Sequence, residues 1–355
     1  MNRREFLKLT CAGVMTMALG NFGTTNAAEQ ILSGKKIDFH AHAILPSYVE
    51  GLKRLGIDAQ AEEGFPLPKW SVDAHLKFMD DAGIDFTILS MATPHIYNGA
   101  DKEKISREVA REINIEFASI CRHYPDKFGF VATLPLPSVE GSIDELNFVT
   151  KNFNPLGVKV ASNSDGIYLG DERLDPIFAE LNSRKALVII HPSPSRILPR
   201  EGVVTGKVMA MYEYPADTTR AVLNLIANGT LEKFPDIKFV VPHCGSFLPY
   251  MKQRAGAMFQ MLAAMKIMNA VDVAAGLKNF YFDLAGDPMP EQMEMLLKIS
   301  DVDRLLYGSD YPYVPAQVWL KKKAALDVEL DKRGWTNQIY LDNAKNILER
   351  STTPR

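Results

Sequence analysis

The chain has 355 residues, of which 46% are hydrophobic and 23% are charged, the composition of an ordinary globular protein. A formal charge of −3 and a pI near 6.2 give no electrostatic reason to expect nucleic acid or an anionic membrane as a partner. Three cysteines, Cys11, Cys121 and Cys244, do not make a disulfide framework.

Residues 1–28 have the pattern of a twin-arginine signal peptide. The motif NRREFLK, at residues 2–8, precedes an apolar stretch from Leu9 to Leu19, and small residues suited to cleavage follow at Ala27 and Ala28. The apolar stretch is shorter than the ~20 residues that a permanent membrane helix needs. The sequence therefore predicts export to the periplasm by the twin-arginine route, with no membrane segment after cleavage.

Eight short β-rich runs follow the signal, and segments with helical apolar spacing separate them. One such segment contains Ile177, Phe178 and Leu181. The runs cover 35–42, 85–92, 129–136, 156–162, 186–192, 238–245, 280–286 and 304–312.

This alternation predicts an α/β fold, a single-domain (β/α)8 TIM-type barrel over residues 35–349. The chain without its signal exceeds the ~250 residues typical of such barrels. We expect the extra length in two segments after strands 1 and 5, at 44–70 and 193–215. The alternative is a doubly wound open sheet, which would need a glycine-rich phosphate loop after strand 1, where the sequence reads His-Ala-His.

Five potential metal ligands or proton carriers stand at the ends of four predicted strands. His40 and His42 are two residues apart, so they project from one face of strand 1. His191 ends the run ALVIIHP, His243 ends KFVVPHCG, and Asp310 ends RLLYGSDYP. In a barrel these ends meet, and imidazole with carboxylate suits Zn²⁺, Mn²⁺ or Fe²⁺. The alternative is a set of unrelated histidines and a surface aspartate.

The motifs H-x-H, HP, HCG and GSDYP, in this order, resemble the amidohydrolase superfamily. They are most similar to the branch that includes 2-amino-3-carboxymuconate-6-semialdehyde, γ-resorcylate and 6-methylsalicylate decarboxylases. The segments MDDAGIDFTILS, YPDKFGFVATLPL, DERLDPIFAEL and YPADTTRAVLNLI extend this resemblance over nearly all of 35–349.

The resemblance implies that four of these residues bind one divalent metal, Zn²⁺ or alternatively Mn²⁺. The implied ligands are His40, His42, His191 and Asp310. It also implies that His243 is the general acid/base outside the ligand set. Arg254 falls where the branch has an arginine for the substrate carboxylate, often reaching a neighbouring subunit, which implies a homodimer or homotetramer. The alternative for Arg254 is an exposed helix arginine.

Lys159 on strand 4 bears on the number of metal ions. Binuclear amidohydrolases carry a carboxylated lysine on that strand, whereas the closer resemblance is to mononuclear members. We therefore expect one metal, with Lys159 as a residue of the barrel wall or a charge at the barrel mouth. Asp38 is expected to face the barrel layers or to support His191 as a hydrogen-bond acceptor.

Other candidates have weaker signals. His95, in the loop after strand 2, is a candidate substrate contact or a loop histidine without a role; His75 and His123 are expected to pack or face solvent. Cys244 is expected to be a buried, inert thiol. Four aromatic residues are candidates for a pocket lining or for simple packing: Trp70, Tyr212, Tyr214 and Phe247.

The leading functional hypothesis is a metal-dependent, non-oxidative decarboxylase, a carboxy-lyase, of an aromatic or muconate-type carboxylic acid. The second is a metal-dependent hydrolase of a lactone, amide or ester, which would use the same ligands. Export favours the hydrolase, and the connecting segments favour the decarboxylase. A third hypothesis, a non-catalytic periplasmic binder, predicts no acid/base at strand 6, whereas His243 is present.

Overall fold

A computed structural model describes residues 34–195 and 208–351. The predicted signal peptide and part of the segment after strand 5 lie outside these residues. The strands of the barrel are β1 Ile37–Ala43, β2 Phe86–Met91, β3 Phe128–Thr133, β4 Gly157–Ala161, β5 Leu187–His191, β6 Lys238–Val241, β7 Tyr281–Asp283 and β8 Leu305–Leu306. In the described part of the chain, no helix combines the length and the apolar character needed to cross a membrane.

The eight strands form one parallel sheet in chain order, from β1 to β8. The sheet closes through hydrogen bonds between its two ends: the N–H of Phe39 donates to the carbonyl of Tyr307 at 2.9 Å, and that of His42 donates to Tyr311 at 2.7 Å. The predicted (β/α)8 barrel is therefore confirmed.

The predicted strands are correct in number and order, but all except β1 are too long at their carboxyl ends. The run 304–312, for example, contains only the two-residue strand β8. The residues of this run that follow β8 contact β1 through individual backbone hydrogen bonds. A small hairpin after β4, made of Asn163–Ser164 and Ile167–Tyr168, had no sequence prediction.

Thirteen α-helices surround or extend the barrel within the described residues. They are α1 Pro46–Leu55, α2 Ala59–Glu63, α3 Val72–Ala82, α4 Glu103–His123, α5 Val139–Asn152, α6 Asp175–Ser183, α7 Glu213–Ala227, α8 Thr230–Lys233, α9 Leu248–Ala264, α10 Val273–Leu277, α11 Met293–Leu296, α12 Ala316–Arg333 and α13 Asn343–Ser351. Helices α1 and α2 lie within the predicted extra segment after β1, residues 44–70.

Helix α3 illustrates how local sequence sets these boundaries. The hydroxyl of Ser71 accepts a hydrogen bond from the N–H of Ala74 at 3.1 Å and caps the start of the helix. Gly83, with φ of 64°, ends it in the left-handed conformation that glycine adopts without steric cost. Phe78 and Met79 lie on its buried face, and burying each such side chain contributes ~1.5–3 kcal/mol.

The barrel interior is apolar, and polar side chains follow at the carboxyl ends of its strands. The interior cluster consists of Ile37, Phe39, Phe86, Ile88, Val131, Leu187, Ile189, Val240, Tyr281 and Leu306, with α13 packed against it. Beyond these residues come His40 on β1, His191 on β5 and Asp283 on β7. Because the strands are parallel, the polar groups share one end of the barrel.

Strand β1 contains one extra residue relative to β2. Asp38 pairs with Thr87 and Ala41 pairs with Leu89, so three steps on β1 match two steps on β2. Such a bulge changes which face the following side chains occupy. It allows Phe39 to lie in the interior cluster while His40, directly after it, faces the same end of the barrel as His42.

Candidate metal centre and active-site cavity

Four predicted ligands converge at the carboxyl end of the barrel. One side-chain atom from each of His40, His42, His191 and Asp310 lies within 4.8 Å of one from every other. The Nε2 atoms of His40 and His42 are 3.1 Å apart, and Oδ1 of Asp310 lies 3.4 and 3.2 Å from them. The three histidines are almost completely buried.

Each of the three imidazoles has its Nδ1 next to an acceptor outside the cluster. Nδ1 of His40 lies 2.8 Å from Oδ2 of Asp283, Nδ1 of His42 lies 3.1 Å from the carbonyl of Met91, and Nδ1 of His191 lies 3.2 Å from that of Pro192. A proton on each Nδ1 satisfies these acceptors and leaves the lone pair on Nε2. This is the tautomer that a metal ligand requires.

The donor set fits a divalent cation. Two Nε2 lone pairs and the Asp310 carboxylate face one another at short range, an arrangement that is repulsive unless a cation or a proton lies among them. Histidine and carboxylate ligands suit Zn²⁺ or Mn²⁺. The four residues therefore form a metal-binding site.

The electrostatics of the ligands agree with this fit. Burial lowers the pKa of His42 to about 3, so this imidazole is neutral near pH 7. Burial also acts to lower the pKa of His40, but the Asp283 carboxylate outweighs it and the pKa is raised. Burial acts to raise the pKa of Asp310, yet its hydrogen bond to His42 and the nearby histidines hold the pKa well below its usual value.

Asp283 is the residue that sequence reasoning missed. Besides its bond to His40, its Oδ1 accepts hydrogen bonds from the N–H groups of His243 at 2.9 Å and Ala285 at 3.1 Å. Asp283 ends β7, so the signal that identified Asp310, an acid at the end of a strand-like run, was present for Asp283 also.

Asp38 does not support His191, and that part of its prediction is wrong. Its Oδ1 accepts hydrogen bonds from the N–H groups of His40 and Ser309, both at 3.0 Å, where β1 meets the segment after β8. The bulge in β1 is the physical reason, because on a regular strand Asp38 would share the face of His40. The acceptor for His191 is the carbonyl of Pro192.

Lys159 lies in the barrel wall beside His42. Its ammonium donates a hydrogen bond to the carbonyl of Met91 and lies 3.5 Å from Nδ1 of His42, whereas the metal-facing atom of His42 is Nε2. Burial lowers the pKa of Lys159 to about 7. In this position the lysine is on the far side of His42 from the ligand cluster.

His243 lies beside the ligands without belonging to the group of four. Its Nε2 is 3.9 Å from Oδ2 of Asp310, its side chain is 21% exposed, and it lines the cavity above the ligands. Its backbone has a φ of 56°, a strained conformation for a residue with a side chain. Burial lowers the pKa of His243.

The cavity above the ligands has a volume of about 590 Å³. This volume lies within the ~300–1,000 Å³ of pockets for small molecules. Of the four aromatic candidates, Tyr214 and Phe247 line it. Its wall also contains residues with no sequence prediction, among them Glu63, Phe65, Thr93 and Tyr313.

The other candidates lie elsewhere. Arg254 is exposed on α9 and does not line the cavity of its own chain. The ring of His95 lies 6.1 Å from that of His191, and its Nε2 is 3.3 Å from the carbonyl of Pro192. Trp70 donates to buried His75 at 2.9 Å, which confirms packing for that histidine. Two fit their expected roles: His123 is exposed, and burial raises the pKa of the Cys244 thiol. Tyr212 is exposed and is not among the residues that line the cavity, although its ring lies 5.4 Å from that of Phe247.

A closed (β/α)8 barrel with three histidines and an aspartate at its carboxyl end defines a metal-binding protein of the barrel-enzyme class. A family model described as amidohydrolase matches residues 37–350, and the chain belongs to this family.

Similar proteins agree with the predicted branch. The decarboxylase yanB of Aspergillus niger is 32% identical over 290 residues, which cover 79% of this chain and 78% of the relative. The 6-methylsalicylic acid decarboxylase of Penicillium expansum is 28% identical over 289 residues, covering 81% and 87%. A crystal structure described as an amidohydrolase II superposes with a TM-score of 0.80 at 33% identity, covering 88% of this chain and 99% of that one. These findings confirm the predicted family, its decarboxylase branch and the enzyme class, a carboxy-lyase of the amidohydrolase superfamily.

Proposed function

We propose that the protein is a metal-dependent, non-oxidative decarboxylase of an aromatic or muconate-type carboxylic acid. The observation that carries the proposal is His243 on the wall of the cavity, next to the metal-binding group but outside it. The decarboxylase names of the curated relatives supply the reaction class, and 6-methylsalicylic acid, named for one of them, is a small aromatic carboxylate.

The metal-binding group and His243 have separate roles in the proposed reaction. A divalent cation held by His40, His42, His191 and Asp310 would supply Lewis-acid charge that orients the substrate and stabilises negative charge on its oxygens. His243, which lines the cavity, would act in its imidazolium form: it delivers one proton to the carbon that carries the carboxylate and becomes the neutral imidazole. The C–C bond then breaks, CO₂ leaves, and the delivered proton remains on that carbon.

The experiment is a substrate panel with the metal-loaded protein. Hydroxybenzoates, a muconate semialdehyde and simple lactones are incubated separately, and CO₂ release and product absorbance are followed together. CO₂ release that stops on chelation supports the proposal. Lactone opening without CO₂ would instead assign the chain to the hydrolase alternative, and metal binding with no turnover of any compound would favour a binding protein.

For the metal we propose Zn²⁺, with Mn²⁺ as the alternative. Three imidazoles with one carboxylate are common zinc ligands, and carboxylate also suits manganese. Metal analysis of the protein purified without added ions tests this, with one ion per chain expected. Two ions per chain would contradict a mononuclear site.

We also propose that the protein forms a homodimer or homotetramer. Helix α9 and Met265, directly after it, carry an exposed row of large side chains, at positions 250, 254, 258, 261 and 265. Tyr250 is 81% exposed and Met265 is 61% exposed. An exposed apolar row marks an interaction surface, and Arg254 lies within it. Analytical ultracentrifugation of wild type and Met261→Glu tests the proposal, because a monomeric wild type would contradict it.

We propose a periplasmic location after export by the twin-arginine route, supported by the NRREFLK motif and the apolar stretch that follows. This route carries folded proteins, which suits a protein that acquires its metal in the cytoplasm. N-terminal sequencing of the protein from the periplasmic fraction should give a start near Ala27. An intact N-terminus would contradict the proposal.

A further inference from the structure

One wall of the cavity carries a buried acid that the metal-binding group does not explain. Glu63 is only 1% exposed, yet it lines the cavity. It ends α2, in the segment after β1, and both of its carboxylate oxygens face the hydroxyl of Tyr214 at the start of α7. This contact joins segments 151 residues apart in sequence.

Glu63 retains hydrogen-bonding capacity toward the cavity. Burial raises the pKa of this carboxyl to about 7, so at about pH 8 it is mainly ionised, and an ionised carboxylate accepts about four hydrogen bonds. The Tyr214 hydroxyl has one proton to share between both oxygens, and Thr93 supplies a second side-chain contact. At least one acceptor position therefore remains for a donor in the cavity.

The charges along the wall define what this acceptor can bind. Among the described residues that line the cavity there is no lysine or arginine, whereas four are acids: Glu63, Asp287, Glu291 and Asp310. Asp310 belongs to the metal-binding group, so a bound cation would compensate its charge. The Glu63 wall has no such compensation from the lining residues. It should repel a carboxylate and attract a hydroxyl or amino group.

Aromatic side chains connect Glu63 to the metal-binding group. The Tyr214 ring lies 6.4 Å from the ring of His191, and the Tyr313 ring lies 5.3 Å from that of His42. The Tyr313 hydroxyl accepts from the N–H of Thr93 at 3.0 Å. Glu63 is therefore held on a packed frame that also contacts two metal ligands.

We propose that Glu63, held by Tyr214, positions the substrate by accepting a hydrogen bond from a hydroxyl or amino group distant from the carboxylate to be lost. This inference rests on the proposed decarboxylase function. It specifies the substrate as a carboxylate that carries a donor at a second position, with the carboxylate toward the metal-binding group and the donor toward Glu63.

The test compares matched ligands that differ only in the donor. Metal-loaded wild type, Glu63→Ala and Glu63→Gln are assayed at about pH 8, above the pKa of Glu63 of about 7. The substrates are benzoates that carry a hydroxyl or a methoxy group at the same ring position. For one position we expect wild type to favour the hydroxyl by about 10- to 100-fold in kcat/KM, mainly through KM. Glu63→Ala should lower this ratio to within about threefold. Glu63→Gln should keep part of it, because the amide oxygen also accepts.

Tyr214→Phe is the matched control for a merely structural role. This variant lacks the hydrogen bond between Tyr214 and Glu63 but keeps the Glu63 carboxylate. It should therefore retain a larger preference for the hydroxyl compound than Glu63→Ala. If Glu63→Ala keeps the wild-type ratio, or if it weakens hydroxyl and methoxy compounds equally, the inference is wrong.

Dissociation constants of the same compounds, measured by calorimetry, separate this inference from the proposed function. A panel without CO₂ release would reject decarboxylation, while the hydroxyl-to-methoxy ratio of the dissociation constants would still report on Glu63. A wild-type ratio near one at every ring position would reject the role of Glu63 even if CO₂ is released.

Discussion

Asp283 accepts a hydrogen bond from Nδ1 of His40 at 2.8 Å, and its other oxygen accepts the backbone N–H of His243 at 2.9 Å. One buried carboxylate thus orients a metal ligand and fixes the residue proposed as the proton donor. Because both contacts come from the end of β7, the geometry of the ligand and of the acid/base are set together.

Replacing Asp283 with Asn should weaken metal binding by about 10- to 100-fold. The amide nitrogen would donate to Nδ1 of His40, which favours the tautomer with a proton on the metal-facing Nε2. Competition with a fluorescent chelator measures the affinity. Asp287→Asn, an exposed acid four residues on, is the control and should keep wild-type affinity. Equal affinities for Asp283→Asn and wild type would show that Asp283 does not set the tautomer of His40.

Replacing His243 with Ala should leave metal content near one ion per chain and reduce kcat by at least about 10²-fold. The reason is that His243 lies outside the four-residue group but faces the cavity. Metal analysis and CO₂ release on the same sample provide the two readouts, and His123→Ala, on an exposed helix face, is the control. Loss of the metal would make His243 a ligand and overturn its assigned role.

Replacing Asp310 with Ala should lower both metal content and activity. Its Oδ1 lies 3.4 and 3.2 Å from Nε2 of His40 and His42, and without the carboxylate only neutral imidazoles remain in the group. Dialysis against a limiting metal concentration, followed by metal analysis, should give well under one ion per chain. A variant that keeps a full complement of metal would remove Asp310 from the ligand set.

Much of the fold and of the ligand set could be predicted from the sequence because the signals are local. A parallel strand buried on both faces is a short apolar run, and the polar residue that ends it marks the functional end of a barrel. His40, His42, His191 and Asp310 all follow such runs, so strand order alone was enough to bring them together.

The features that sequence reasoning missed depend on tertiary structure. The bulge in β1 leaves no mark in KKIDFHAH, yet it moves Asp38 away from the face of His40. Glu63 lies in a short helix of an inserted segment, lines the cavity, and contacts Tyr214, which is 151 residues away in sequence. No periodic pattern predicts a contact of that sequence separation.

Glu63 should make stability decrease as the pH rises. Burial raises the pKa of its carboxyl to about 7 from the usual 4.5, although the Tyr214 hydroxyl acts in the opposite direction. Between these values the unfolded chain loses the proton that the folded protein keeps. The contribution of Glu63 to stability is thus complete below about pH 4.5 and is lost as the pH rises to about 7.

Glu63→Gln cannot titrate, so its free energy of unfolding relative to wild type should rise across this window and become constant above it. The expected change is of order 1–3 kcal/mol. Urea unfolding from about pH 5 to about pH 8 measures it, with chelator present so that metal binding adds no pH dependence of its own. Glu291→Gln, at an exposed glutamate of the same cavity, is the control. A difference between Glu63→Gln and wild type that stays flat with pH would mean that burial does not hold Glu63 protonated.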